Sequence, residues 1–213
     1  MCCGSLTGLT ILNSKGIALR SVSKTVVSIV LRLTLSAAAA IPLPTSALEL
    51  DGERFSESIQ LASQRLVLRG AFTYDYLLWS VYSAALYAPA ALQSADILGE
   101  SAKRLELVYK RDVDKADFIR AAEAMLERNL SSDALAKLQP QLSQLHKAYV
   151  SVTAGDRYAL SYIPGRGTEL RFNGKFLLIV PGAAFARAYF GVWLGQQPLD
   201  EALRDALLGQ AAQ

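Results

Sequence analysis

The stretch SYIPGRGTELRFNGKFLLIVPG, residues 161–182, carries four glycines, Gly165, Gly167, Gly174 and Gly182, three of them beside Arg166 or Lys175. Backbone N–H groups in a glycine-rich loop can cradle a phosphate. A loop of that kind ends in Gly-Lys-Ser/Thr and opens a helix. Here Asn173-Gly174-Lys175-Phe176 opens an apolar run suited to a strand. The glycines therefore read as turn residues, and Asn-Gly is the two-residue hairpin signal, because both positions want positive φ.

Other chemistry is narrowed by what the chain lacks. His146 is the sole histidine. A Ser-His-Asp triad would have to run through it, and a zinc site would need carboxylates for nearly all its ligands. It sits beside Lys147 at the end of a helical pattern, which reads as a surface position near a helix C-terminus. The only cysteines, Cys2 and Cys3, lie in the N-terminal leader, so the remaining chain has no thiol chemistry and no disulfide. No metal and no cofactor are expected.

The leader also accounts for the charge. The formal net charge is +3, but Lys15, Arg20, Lys24 and Arg32 all precede the first acid, Glu49. Without residues 1–47 the chain has 18 basic against 19 acidic residues, which argues against nucleic-acid binding. A cationic start, an apolar centre, Pro42, Pro44 and small residues at Thr45 and Ala47 read as an export signal cleaved after Ala47. The product would be periplasmic or secreted. An uncleaved anchor and a Ser-rich, acid-free plastid transit peptide are the other readings of the same segment. The expected organisation is a targeting segment over 1–47 and one domain over 48–213.

Periodicity outlines that domain. Residues 66–70, LVLRG, read as a strand ended by glycine. Residues 76–89, YLLWSVYSAALYAP, read as one long strand buried on both faces and stopped by Pro89. Residues 103–111 alternate, with Leu105, Leu107 and Tyr109 on one side. Asp114 can cap a helix whose stripe is Phe118, Ala121, Ala122, Met125 and Leu126. Ser131 or Ser132 can cap a second, with Pro140 inside it. Residues 156–180 read as a three-stranded antiparallel meander. Two helical patterns follow, one through Phe185, Tyr189 and Trp193, the other starting with Pro198 near its first turn. The sum is α+β: an antiparallel sheet covered on one side by helices.

In order and spacing, these segments resemble the bacterial chalcone isomerase-like domain. GDRYALSYIPGRGTELRFNG (155–174) is similar to its GDxYxLxYxPGxGTxxxxNG core. FARAYFGVWLGQQP (185–198) is similar to its helix-pair motif, and VYSAALYAP (81–89) to its central strand. The resemblance covers nearly all of residues 60–210. It implies an open-faced β-sandwich, a large antiparallel sheet with a helical layer on one face and ligands in the cleft between. Isomerisation in the family needs a cation for the phenolate and hydroxyl donors for the ketone. Carried over, the Arg position falls on Tyr74, and Arg69 lies too early. The Thr falls on Tyr82 or Ser80, the helix Tyr and Asn on Phe118 and Met125, and the later Thr near Val192. The catalytic set is thus not matched, and a non-catalytic member is expected.

The non-catalytic branch implied by the resemblance binds fatty acids. An apolar pocket buries the methylenes, and a charged or phenolic group fixes the polar end. Tyr74, Tyr82, Tyr109 and Arg111 are the candidates. Each has a plainer role: Tyr82 and Tyr109 as core, Arg111 as a surface partner of Asp112 or Asp114. Two other functions stay open: an isomerase with a rearranged site, and an envelope interaction protein with no small ligand. The expected partner is a small apolar ligand, with a membrane-associated partner possible and no nucleic acid. The oligomeric state is not specified.

Overall fold

The computed structural model describes residues 47–210. The expected targeting segment, apart from its last residue Ala47, and both cysteines lie outside that range. A hairpin of β1 (Ala47–Leu50) and β2 (Glu53–Ser56) precedes a seven-stranded sheet. The sheet is formed by β3 (Ser58–Leu61), β4 (Gln64–Tyr76), β5 (Trp79–Ala88), β6 (Lys103–Tyr109), β7 (Arg157–Ile163), β8 (Gly167–Phe172) and β9 (Lys175–Val180). These follow one another in sequence order and every pair is antiparallel. Helices α1 (Lys115–Asn129) and α2 (Ser132–Ala148) join β6 to β7; α3 (Ala183–Leu194) and α4 (Glu201–Leu207) close the chain. This is the expected α+β architecture, with all four helices on one side of the sheet.

Strand parity divides the core. On β5, Tyr82, Ala84, Leu86 and Ala88 join the helix-side cluster, whereas Ala85 and Tyr87 join a second cluster with Phe55 of β2. So β5 is buried on both faces from Tyr82 onward, as its composition implies.

Two strand boundaries differ from expectation. The strand begun at Leu66 does not stop at Gly70 but continues to Tyr76. A bulge at Arg69 between the Leu68 and Gly70 pairings exchanges the faces. Leu66 and Leu68 therefore face Phe55, while Phe72 and Tyr74, with the same parity, face the helices. Gly70 sits where α4 crosses: a Cβ there would stand 1.9 Å from the Ala206 carbonyl oxygen. The second difference is that residues 76–89 are not one strand. Tyr76 ends β4, Leu77 and Leu78 form a two-residue turn, and β5 begins at Trp79.

Smaller corrections have local causes. Asp114 occupies the N-cap of α1, but its carboxylate accepts from Ser151 Oγ at 3.2 Å rather than from the helix. Ser131 caps α2, accepting from the Ala134 N–H at 3.3 Å. Asp200, not Pro198, opens α4 by accepting from the Leu203 N–H at 2.7 Å. His146 is not a surface residue. It lies in the last turn of α2 as expected but is half-buried, with Nδ1 3.5 Å from Glu123, and burial lowers its pKa.

Candidate ligand-binding cleft

Between the sheet and helices α1 and α3 opens a cleft of about 660 Å³. Its floor is a row of tyrosines set by strand register. Tyr74 of β4 lies opposite Tyr82 of β5, and Tyr82 lies opposite Tyr109 of β6. Tyr74 and Tyr82 stack with centroids 5.2 Å apart, and Tyr82 meets Tyr109 edge-on at 5.8 Å. A bulge at Val81, between the Tyr74–Tyr82 and Asp75–Ser80 pairings, keeps this row in register above the Leu77-Leu78 turn. Phe118 of α1 and Trp193 of α3 supply the roof. Trp193 Nε1 donates to Tyr82 Oη at 3.2 Å, tying the roof to the floor.

A second, interior cavity of about 40 Å³ lies deeper and shares Leu107, Tyr109, Phe118 and Trp193 as walls with the cleft. Its far side holds Tyr149 and Tyr189, whose hydroxyls are hydrogen-bonded at 2.8 Å, and Tyr158, whose hydroxyl donates to the Val150 carbonyl at 2.9 Å. Aromatic side chains thus line the path from rim to interior, bringing large apolar area and hydroxyl tips together.

The electrostatics are those of neutral donors. Burial pushes the pKa values of Tyr82 and Tyr109 well above the ordinary tyrosine value. For Tyr82 the Trp193 hydrogen bond works weakly against that shift. Tyr74, nearer the rim, is raised by burial and then by the Asp200 carboxylate. These groups stay protonated at neutral pH. The cation in the cleft wall is Arg120, ion-paired to Asp117 one turn earlier on α1, with both side chains mostly exposed.

Of the four residues singled out from the sequence, the fold brings Tyr74, Tyr82 and Tyr109 together in one wall. Arg111 is not among the lining residues. Its guanidinium lies 5.4 Å from the centre of the Trp79 ring, and it forms no ion pair with Asp112 or Asp114 among the described residues. Trp193 follows Tyr189 by one helical turn, a spacing visible in the sequence. Its bond to Tyr82 spans 111 residues and has no local signal. Arg120 lies outside the α1 apolar stripe and reads from sequence as an ordinary exposed charge.

Among the described residues no group of three His, Cys, Asp or Glu side chains is placed to hold a metal ion. Nor is any described helix long and apolar enough to cross a membrane.

A family model described as chalcone isomerase-like matches residues 47–209. The crystal structure of a fatty-acid binding protein of Arabidopsis thaliana superposes with a TM-score of 0.59 at 18% identity, over 77% of this chain and 96% of the plant protein. At that identity the likeness establishes the fold. No curated protein sequence matches the chain significantly.

Proposed function

The chain belongs to the chalcone isomerase-like family, and we propose that it is an exported, non-catalytic member that binds a fatty acid or similar apolar anion in the sheet–helix cleft. The observation that carries this reading is the tyrosine-floored cleft of about 660 Å³. Its size falls in the range of small-molecule sites, and its walls are apolar with a few hydroxyls. The fatty-acid binding protein with the same fold lends it further support. Export is motivated by the cationic, then apolar, leader.

The charges give the ligand a direction. A carboxylate placed deep in the cleft would meet hydroxyls but no cation, and its desolvation would go uncompensated. At the rim it keeps water and reaches Arg120. The exposed Arg120–Asp117 pair contributes little by itself, so the guanidinium can be shared. The chain then enters first and the head stays at the mouth. Proton-transfer chemistry fits less well: a general acid–base works best with a pKa near the operating pH, and burial moves Tyr82 and Tyr109 away from it.

Titration of the delipidated protein with saturated fatty acids of increasing length, alongside the matching alcohols, tests this reading. Each buried methylene contributes about 0.8 kcal/mol, so affinity should rise roughly fourfold per methylene until the cleft is full. Arg120→Ala should weaken the acids several-fold and leave the alcohols unchanged. Absence of binding across the whole series would sink the proposal.

A further inference from the structure

The cleft opens beside the most exposed apolar segment of the described chain. At the β4–β5 turn, Leu77 is 82% and Leu78 92% solvent-accessible, and the flanking Tyr76 and Trp79 are 61% and 64% accessible. All four are consecutive. Tyr76 also belongs to the cleft wall, so the tip and the mouth are one continuous surface. The other exposed large apolar side chains, Leu48, Val150 and Phe176, lie on other elements.

We infer that this tip docks on a lipid bilayer surface, with Leu77 and Leu78 reaching the acyl region. Three features select that occupant. First, the side chains are graded: two leucines at the apex, then a tyrosine and a tryptophan one position back. Tyr and Trp favour the membrane–water interface and leucine the hydrocarbon beyond it. Second, the charge is placed to match. The Arg111 guanidinium lies over the Trp79 ring at 5.4 Å, which puts a cation beside the aromatic that flanks the leucines. Asp75 carries the opposite charge near the tip, and its carboxylate accepts from the Ser80 hydroxyl at 2.6 Å. Third, the patch is small. Stable protein–protein interfaces use about 20–30 residues a side, whereas membrane-surface binding has no such minimum and scales with the apolar area buried.

The turn geometry supports the same conclusion. Leu77 has φ +57°, in the left-handed region that leucine disfavours. Asp51-Gly52 and Asn173-Gly174 fill two other two-residue turns with favoured residues, while the β3–β4 turn puts the small Ala62 at φ +51° beside Ser63. Here the favoured residues are replaced by two that gain nothing in water. Docking needs no bound ligand, so it stands or falls apart from the acyl-binding reading. If both hold, the mouth of the cleft faces the membrane and an acyl ligand transfers with little exposure to water.

The test is sedimentation of the full chain with phosphatidylcholine vesicles containing a phosphatidylglycerol fraction, and quenching of its tryptophan fluorescence by bromine-labelled lipid. Trp79 and Trp193 are the only tryptophans, and Trp193 is buried. The parent should bind with Trp79 strongly quenched. Leu77→Asn/Leu78→Gly should lose at least tenfold in vesicle affinity, and Arg111→Ala several-fold. The melting temperature of the double variant verifies that it is folded; Leu78→Gln, which leaves Leu77 in place, is the second probe. Equal binding by parent and both variants would overturn the inference, since attachment would lie elsewhere, the leader included. So would absence of vesicle binding, or a parent that dimerises through the tip while the variants stay monomeric.

Discussion

The β4–β5 and β8–β9 hairpins reverse the chain with opposite residues and different backbones. Both turn in two residues, Leu77-Leu78 and Asn173-Gly174. At the second, both positions have positive φ, +48° and +77°, which Asn and Gly tolerate. Asn173 also works as a clamp. Its Oδ1 accepts from the Arg157 N–H at 2.8 Å and its Nδ2 donates to Asp156 at 2.7 Å. At the first, Leu77 carries a positive φ at a cost of about 1–2 kcal/mol, and neither leucine is buried. One turn is built for stability. The other spends stability to keep two apolar side chains in solvent, which is the pattern expected where function sets the residue.

Exchanging the two turns gives the largest effects. Asn173→Leu/Gly174→Leu forces side chains into positive φ and leaves the Asp156 and Arg157 partners unmet. A loss of about 3 kcal/mol is expected, or roughly 6–12 °C in melting temperature for a domain of this size. In the reciprocal Leu77→Asn/Leu78→Gly, Asn relieves the positive φ at residue 77 while glycine at residue 78, whose φ is not positive, adds chain entropy, so the two effects should nearly cancel and stability should stay within about 1 kcal/mol of the parent, roughly 2–4 °C. A loss of more than about 2 kcal/mol would mean that Leu77 and Leu78 hold the fold rather than a surface, and the contrast between the hairpins would collapse. Fatty-acid affinity should be unchanged by the same double substitution, because neither leucine lines the cleft.

The contrast also explains what could be read from the sequence. Asn173-Gly174 is legible because only a few residues accept that backbone. Asp51-Gly52 carries the same signal, in the β1–β2 hairpin, which the strand reading from residue 66 onward did not reach. Leu77-Leu78 carries none. Without a turn residue, Tyr76 to Pro89 reads as a single strand, and the pairing of Tyr74 with Tyr82 disappears with the turn. The face exchange at Arg69 has the same effect one strand earlier, because a bulge breaks the period that identifies a strand. The helices were legible because their apolar stripes hold a 3.6-residue period over two to four turns. The tyrosine types could be singled out through the family resemblance. Their alignment into one row, and the placing of Arg120 rather than Arg111 at the mouth, depend on register and helix docking.

The smallest effect separates the two hairpins by pH. The Asp156 carboxyl is held below its ordinary value of 3.8, chiefly by the Asn173 side-chain amide and then by the Thr153 backbone N–H. The folded chain therefore binds this proton less readily than the unfolded chain. That contribution is fully present above the ordinary value and is lost as pH falls through the depressed one. Asp156 is only partly buried, so solvent screening keeps its contribution small. Urea unfolding between about pH 5 and pH 2.5 should show a shallower acid dependence in Asn173→Ala than in the parent. Leu77→Asn/Leu78→Gly should keep the parent slope, because it shares no partner with Asp156 and distant sites add independently. An equal change of slope in both variants would mean that the hairpins are coupled through the intervening strands, and that the exposed tip is part of the stability of the sheet after all.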